Sequence, residues 1–262
     1  MIDKIFILTD LGMSDYYIAA MKNAILTVNP DIKFIIDITH DISPWDIMKG
    51  SFILWQIIKE LKETIVIGVV DPGVGGDRRD IVIECDDHVY LVGPDNGLFY
   101  PGAMEKGIKR VWTIDINNRK YFPLISSTFY GRDVYAKAGG YLSLDIKEFL
   151  LDTSIESLVK MNIFDIKSLN KGISGKVIHI DRFGNVLLNI RCGLLRGVHK
   201  LRLKINEVER DIKKVRYFTQ LKHGEIGLLC GSSGVYEIVS NLAKASEVLN
   251  VKVGDEVTII YE

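Results

Sequence analysis

The chain has 262 residues, 47% hydrophobic and 26% charged, enough apolar content to build a substantial core in one large domain or two unequal ones. Its 33 basic and 34 acidic residues leave a net charge of −1, which gives no broad attraction for nucleic acid or an anionic membrane. Cys85, Cys192 and Cys230 lie far apart and outside any CxxC or CxxH spacing, so they read as buried thiols in a reducing compartment, not as a disulfide framework or a zinc site.

The first element, KIFIL at 4 to 8, starts without a signal-peptide pattern, and no later run reaches membrane-spanning length; the expected location is cytoplasmic. Further strands are expected at KFIID (33 to 37), TIVIGVV (64 to 70), IVIE (81 to 84), VYLV (89 to 92) and RVWTI (110 to 114). Helical periods cover about 14 to 27, 45 to 61 and 132 to 142. Asn29-Pro30 ends the first helix, Ser43-Pro44 reads as the cap of the second, and Asp86-Asp87 as a hairpin turn. This alternation predicts an α/β domain with a mostly parallel sheet flanked by helices over residues 1–165. After a linker at 166–171, short β-prone runs separated by Gly, Asn and charge predict a smaller all-β, barrel-like domain over 172–262.

Strand-like runs end abruptly in polar residues at TDLG (9 to 12), VVDPGVGGDRR (69 to 79) and GPDNG (93 to 97), and ligands of parallel sheets bind at such carboxyl ends. Asp10 reads either as a helix N-cap or as a carboxylate that accepts the two hydroxyls of a ribose. Asp71 precedes Pro72-Gly73 as in a plain turn, but Gly73, Gly75, Arg78 and Arg79 together suit a loop whose backbone approaches a ligand while an arginine pairs with the carboxylate. GVGGDRR lacks the spacing of a phosphate loop or dinucleotide fingerprint, and GSSG at 231 to 234 is not a serine-hydrolase elbow. His40, His88, His179, His199 and His223 are scattered and read as surface or capping histidines, so no metal site is expected. Asp181-Arg182-Phe183-Gly184-Asn185 reads as a hairpin turn, or as an asparagine that meets a purine edge beside a stacking phenylalanine. Ser232 and Ser233 are either loop residues or donors to a carboxylate, and Trp45 is either helix-start packing or an aromatic wall.

TDLG followed by Asp15, DISPWDI (41 to 47), VVDPGVG with Arg78 and Arg79, GPDNG, TFYGRD (128 to 133), IDRFGNVLLNI (180 to 190) and GSSGVYEI (231 to 238) occur in that order. Together they resemble the S-adenosylmethionine hydroxide adenosyltransferases, relatives of the fluorinase and chlorinase enzymes. The resemblance implies an N-terminal α/β domain, a C-terminal barrel-like domain and a homotrimer with active sites between subunits. It also implies attack of water or hydroxide on the ribose C5′ of S-adenosyl-L-methionine, releasing adenosine and L-methionine. The sulfonium is itself the leaving group, so no cofactor is implied, and S-adenosylmethionine is the substrate. Alignment of the reacting atoms can supply about 7 to 11 kcal/mol in favourable cases.

By position, the resemblance makes Asp71, Arg78 and Tyr130 the catalytic set, with Asp10 on the ribose hydroxyls and Trp45 and Phe183 flanking the nucleoside. Asn185 and Asn96 would meet the adenine or its surroundings. Asp181, Ser232 and Ser233 would take the methionine end, with Glu237 in the same loop, and Gly131 follows Tyr130 as in the chlorinase. The family's TFHGRD here reads TFYGRD, so Tyr130 stands in the histidine position. A phenol ionises near pH 10, which suits Tyr130 to orienting water and Asp71 to polarising it. A halide beside an ionised Asp71 would meet a repulsion of about 4 kcal/mol at an effective dielectric near 20, which favours hydroxide over chloride. The alternatives are a chlorinase-like halogenase and a non-catalytic protein that binds adenosine or S-adenosylmethionine.

Overall fold

The computed structural model describes residues 2–198 and 200–261, so His199 lies outside the described residues. Chain contacts separate a first unit ending at Met161 from a second beginning at Asn162. The stretch read as a linker, 166–171, falls within the second unit.

In the first unit, period-two runs of branched aliphatics become β1 (Lys4–Thr9), β2 (Phe34–Thr39), β3 (Thr64–Val69), β4 (Asp80–Cys85), β5 (Val89–Pro94), β6 (Ile108–Ile114) and β7 (Leu150–Thr153). They form one sheet in the order β2-β1-β3-β5-β4-β6-β7. The pairs from β2 to β5 are parallel, and β4, β6 and β7 join antiparallel. Asp87, with φ of 55°, makes the tight β4–β5 turn expected at Asp86-Asp87. The helices are α1 (Tyr17–Val28), α2 (Ile47–Ile58), α3 (Tyr100–Lys106) and α4 (Lys137–Ser143), the last entered through a π-helical turn, Gly131–Ala136.

Alternate strand residues feed two cores. Ile5, Ile7, Ile65 and Ile67 pack with Met21 and Ile25 of α1 and Leu142 of α4, while Leu8 and Val66 pack with Leu54 and Ile58 of α2 and Ala103 of α3. Two features of the helices differ from the sequence expectation. Trp45 has a φ of 67°, which a helix cannot continue through, so α2 starts later and is capped by Asp46, whose carboxylate accepts from the Lys49 N–H at 2.9 Å. The short α3 carries no readable period; it is held by packing, with Gly102 against Ile58 and the Trp55 Nε1–H donating to Glu105 at 2.6 Å.

The second unit contains β8 (Lys167–Leu169), β9 (Gly172–Ile180), β10 (Val186–Arg191), β11 (Leu201–Ile205), β12 (Val208–Val215), β13 (Ile226–Cys230), β14 (Val235–Ser240), a short α5 (Ala245–Leu249) and β15 (Glu256–Tyr261). The order β10-β14-β13-β12-β11-β15-β9 returns to β10, closing a seven-stranded barrel, with β8 added to β9. Closure works because one end of β9 pairs with β15 and the other with β10. Every neighbouring pair in the ring is antiparallel except β12–β13. The sequence did not reveal β12, in whose charged run VERDIKKV only Ile212 and Val215 are buried, in separate clusters.

The cysteine expectation is corrected. Cys192 and Cys230 form a disulfide with their Cα atoms 5.6 Å apart, and only Cys85 is a buried free thiol. The ends of β10 and β13 meet only in the folded barrel, so their 38-residue separation carried no sign of the pairing. His40 is likewise buried, not at the surface, with Nδ1 2.9 Å from the Thr9 hydroxyl. Among the described residues no helix is long and apolar enough to cross a membrane.

Gly68 and Gly93 open a slot over which the Phe99 ring lies, and a Cβ on Gly93 would come within 2.2 Å of the Gly68 carbonyl oxygen. Gly93→Ala should therefore cost about 2 kcal/mol or more and lower the melting temperature by several degrees in a circular-dichroism melt. An unchanged midpoint would mean that the sheet yields at this point.

Candidate active site

The connection through α1 carries the chain from β1 to β2 on one face of the sheet, and that through α2 carries it back past β1 to β3 on the other. The strand order therefore reverses at β1 and β3, and the crevice at their carboxyl ends is where an α/β sheet accepts a ligand. Asp10 follows β1 and Asp71 follows β3. The loops are tied together there: the Asp10 N–H donates to the Val69 carbonyl at 3.3 Å, and the Asn96 amide donates to the Val70 carbonyl at 2.8 Å.

Asp10 does not cap α1, which begins seven residues later; its Oδ2 accepts from the Trp45 backbone N–H at 2.8 Å. That bond holds Trp45 in its left-handed conformation, with the side chain 71% exposed beside the crevice. Asn96 lies at the same end, but both ends of its amide are engaged, since Oδ1 also accepts from the Leu98 N–H at 3.2 Å. It braces the loops.

Asp71 and Arg78 form the centre of this half. Arg78 presents its side edge to the carboxylate, with Nε 3.0 Å from both oxygens and Nη2 2.5 Å from Oδ2, and the two side chains are only 5% and 12% exposed. Nη1 turns the other way and donates to Asp80 at 2.5 Å. Burial opposes the guanidinium's charge, but the Asp71 bond and the surrounding negative groups outweigh it and raise its pKa above the ordinary arginine value. Arg79 is not part of this cluster; it clamps Asp95 and Ser157.

Tyr130 lies next to Arg78, whose Cζ is 5.1 Å from the phenol ring centroid. Gly75 makes the close approach possible: at φ of 76°, any Cβ there would sit 2.5 Å from the Ser127 carbonyl oxygen of the STFYGRD segment. Gly131 is buried, with its Cβ position 3.2 Å from the Met21 sulfur, so it packs this segment on α1. The helix entrance has no side-chain cap. Asp133 instead folds back to accept from the Ser126 N–H at 2.8 Å and pairs with Arg132. Burial pushes the Asp133 carboxyl up, but those partners prevail and it titrates below the usual range.

The second set of residues lies in the barrel. Asp181 organises the β9–β10 turn: Oδ1 accepts from the Phe183 and Asn185 N–H groups, each at 2.9 Å, and Oδ2 accepts from the Asn185 side-chain amide at 2.8 Å. This turn throws Phe183 outward, 75% exposed, and keeps Asn185 buried beneath it. Ser232 is exposed and Ser233 half-buried in the β13–β14 turn. Glu237 on β14 pairs with Leu187 on β10 and fills the space beside Gly231, where a Cβ would overlap its carboxylate. Burial raises its pKa and the charge of Asp181 adds to that, against a hydrogen bond from Ser233. Sequence reasoning missed Asp80, which lies between the VVDPGVGGDRR loop and the strand expected at 81 to 84, and the fully buried Tyr135, which lies in the helical stretch expected at 132 to 142.

A buried acid whose folded pKa is raised contributes full stability below its unfolded pKa, and this is lost as pH rises through the folded value. Glu237→Gln should therefore melt with the wild type below about pH 4.5, the ordinary glutamate value, and increasingly above it as pH approaches neutrality. A constant difference across that window would count against a buried, ionising Glu237.

Residues 5–148 match the family described as SAM hydroxide adenosyltransferase N-terminal domain, and residues 175–258 its C-terminal domain. An (R)-S-adenosyl-L-methionine hydrolase of Methanocaldococcus jannaschii is 38% identical, the match covering 99% of this chain and 97% of that one. A fluorinase from Actinoplanes is more distant, at 25% identity over 96% of this chain and 95% of its own. The crystal structure of an uncharacterized conserved protein from Thermotoga maritima superposes with a TM-score of 0.89 at 33% identity, covering 98% of this chain and 99% of that one.

Proposed function

The chain belongs to the SAM hydroxide adenosyltransferase family, and from that premise we infer that it is an enzyme that hydrolyses S-adenosyl-L-methionine to adenosine and L-methionine. The observation that carries the chemistry is the side-on Asp71–Arg78 pair at the carboxyl end of β3.

In the proposed reaction, a water oxygen forms a bond to the ribose C5′ as the C5′–sulfur bond breaks. The bonding electrons go to sulfur, which leaves as the neutral thioether of methionine, and the water proton passes to Asp71 and then to solvent. Arg78 fixes the carboxylate and Tyr130 orients the water. The sulfonium needs no acid to depart, so the reaction as proposed takes no cofactor and no metal. Asp10 holds the ribose hydroxyls, and Trp45 and Phe183 flank the nucleoside. Asn185 meets the adenine, while Asn96 serves by bracing the Asp71 loop. Asp181, Ser232, Ser233 and Glu237 take the methionine end.

Trp45 and Phe183, each largely exposed, gain the cover a nucleoside site needs if the chain assembles as a homotrimer with active sites between subunits. Met13 and Tyr16, also exposed near Asp10, support the same reading. We place the enzyme in the cytoplasm because its substrate is a metabolite of that compartment. The Cys192–Cys230 bond is the uncommon case there.

Chromatography of a reaction with S-adenosyl-L-methionine, with and without chloride, should show adenosine and methionine in equal amounts and no 5′-chloro-5′-deoxyadenosine. Asp71→Asn should lower kcat roughly 100-fold or more, whereas Tyr130→Phe should lower it less than about 10-fold. The reverse ranking would transfer the water-activating role to Tyr130, and a chlorinated product would make the protein a halogenase.

A further inference from the structure

Asp80 is the first residue of β4, only 5% exposed, and its register opposite Pro94 fixes it in the sheet at the carboxyl end of β5. An ionised carboxylate taken out of water costs several kcal/mol unless it is paired and hydrogen-bonded. Two groups offset that cost at the same oxygen. Arg78 Nη1 donates to Oδ1 at 2.5 Å, and the hydroxyl of the fully buried Tyr135 donates to it at 2.5 Å. The resulting chain, Tyr135 to Asp80 to Arg78 to Asp71, runs from the π-helical turn through β4 to the loop after β3. Tyr135 and Tyr130 both belong to the segment that enters α4, and their rings stand 5.8 Å and 5.1 Å from the Arg78 Cζ.

A guanidinium with a single carboxylate partner can pivot about that contact. Arg78 cannot, because Asp80 holds its Nη1 and both tyrosine rings lie close to its Cζ. Tyr135 in turn ties Asp80 to the segment that carries Tyr130, so one anchor sets the separation between the two groups assigned to the water, Asp71 and Tyr130. We propose that Asp80 and Tyr135 are positioning residues for hydrolysis, acting through Arg78 to hold Asp71 and Tyr130 at a fixed separation around the attacking water. This rests on the assignment of Asp71 as the water-polarising group. Asp80 and Tyr135 touch no substrate in this proposal, so their removal should impair the chemical step and leave substrate binding intact.

The test is steady-state adenosine release by the full chain over a range of S-adenosyl-L-methionine concentrations. Asp80→Asn should lower kcat roughly 10- to 100-fold with KM within about 2-fold of the parent, the split expected when an interaction acts only in the transition state. Tyr135→Phe keeps the ring that fills the core and should lower kcat about 3- to 10-fold in the same way, so it carries the test should Asp80→Asn fail to fold. Introduced into Arg78→Ala, Asp80→Asn should change kcat by less than about 2-fold, because residues that act through one group are not additive. The proposal is overturned if Arg78→Ala loses activity while Asp80→Asn and Tyr135→Phe keep it. It is also overturned if their losses appear in KM, or if the Asp80→Asn loss persists in full without Arg78. An active Arg78→Ala is a different pattern and would remove the assignment of the Asp71–Arg78 pair, and this proposal with it.

Discussion

The buried guanidinium of Arg78 is the constraint around which the first unit's polar end is arranged. A charge this deep in protein is tolerated only when every side of it has a partner. Asp71 takes one edge, Asp80 takes another, and the rings of Tyr130 and Tyr135 stand close to the Cζ. Four stretches of chain must converge for this to occur: the loop after β3, the start of β4, the end of β5 and the entrance to α4. Gly75 allows two of them to touch backbone to backbone, and Asn96 fastens the third.

The barrel solves a different problem by a related means. Its ring of strands closes through β9, which changes partner along its length. Asp181 accepts three hydrogen bonds within five residues, which fixes the shape of the turn. An aromatic side chain on such a turn can remain exposed without collapsing onto the barrel, as Phe183 does. Glu237 sits in the same unit with its pKa raised by burial and by the charge of Asp181, against a hydrogen bond from Ser233.

Much of this was legible in the residues. Branched aliphatic runs ending in TDLG, VVDPG and GPDNG marked the carboxyl ends of β1, β3 and β5, and the residue types at those ends already suggested a carboxylate beside an arginine. The change of texture toward short β-prone runs marked the barrel. Less legible were α3, too short to show a period, and β12, whose charged face masks its alternation. The cap of α2 was misplaced because Trp45 adopts a conformation that its sequence neighbours do not announce.

Local pattern thus determined which segments are strands and helices, and which loops carry carboxylates, because periodicity and turn chemistry act over a few residues at a time. Only the tertiary structure decided that Arg78 divides itself between Asp71 and Asp80, that Tyr135 reaches back across 55 residues to the same oxygen, and that Cys192 meets Cys230. The Tyr135 and Cys192 contacts join positions far apart in the chain, and the two Arg78 pairs, though local, form only when the loop after β3 folds back on the start of β4. Each depends on strand order and register, which no single segment encodes.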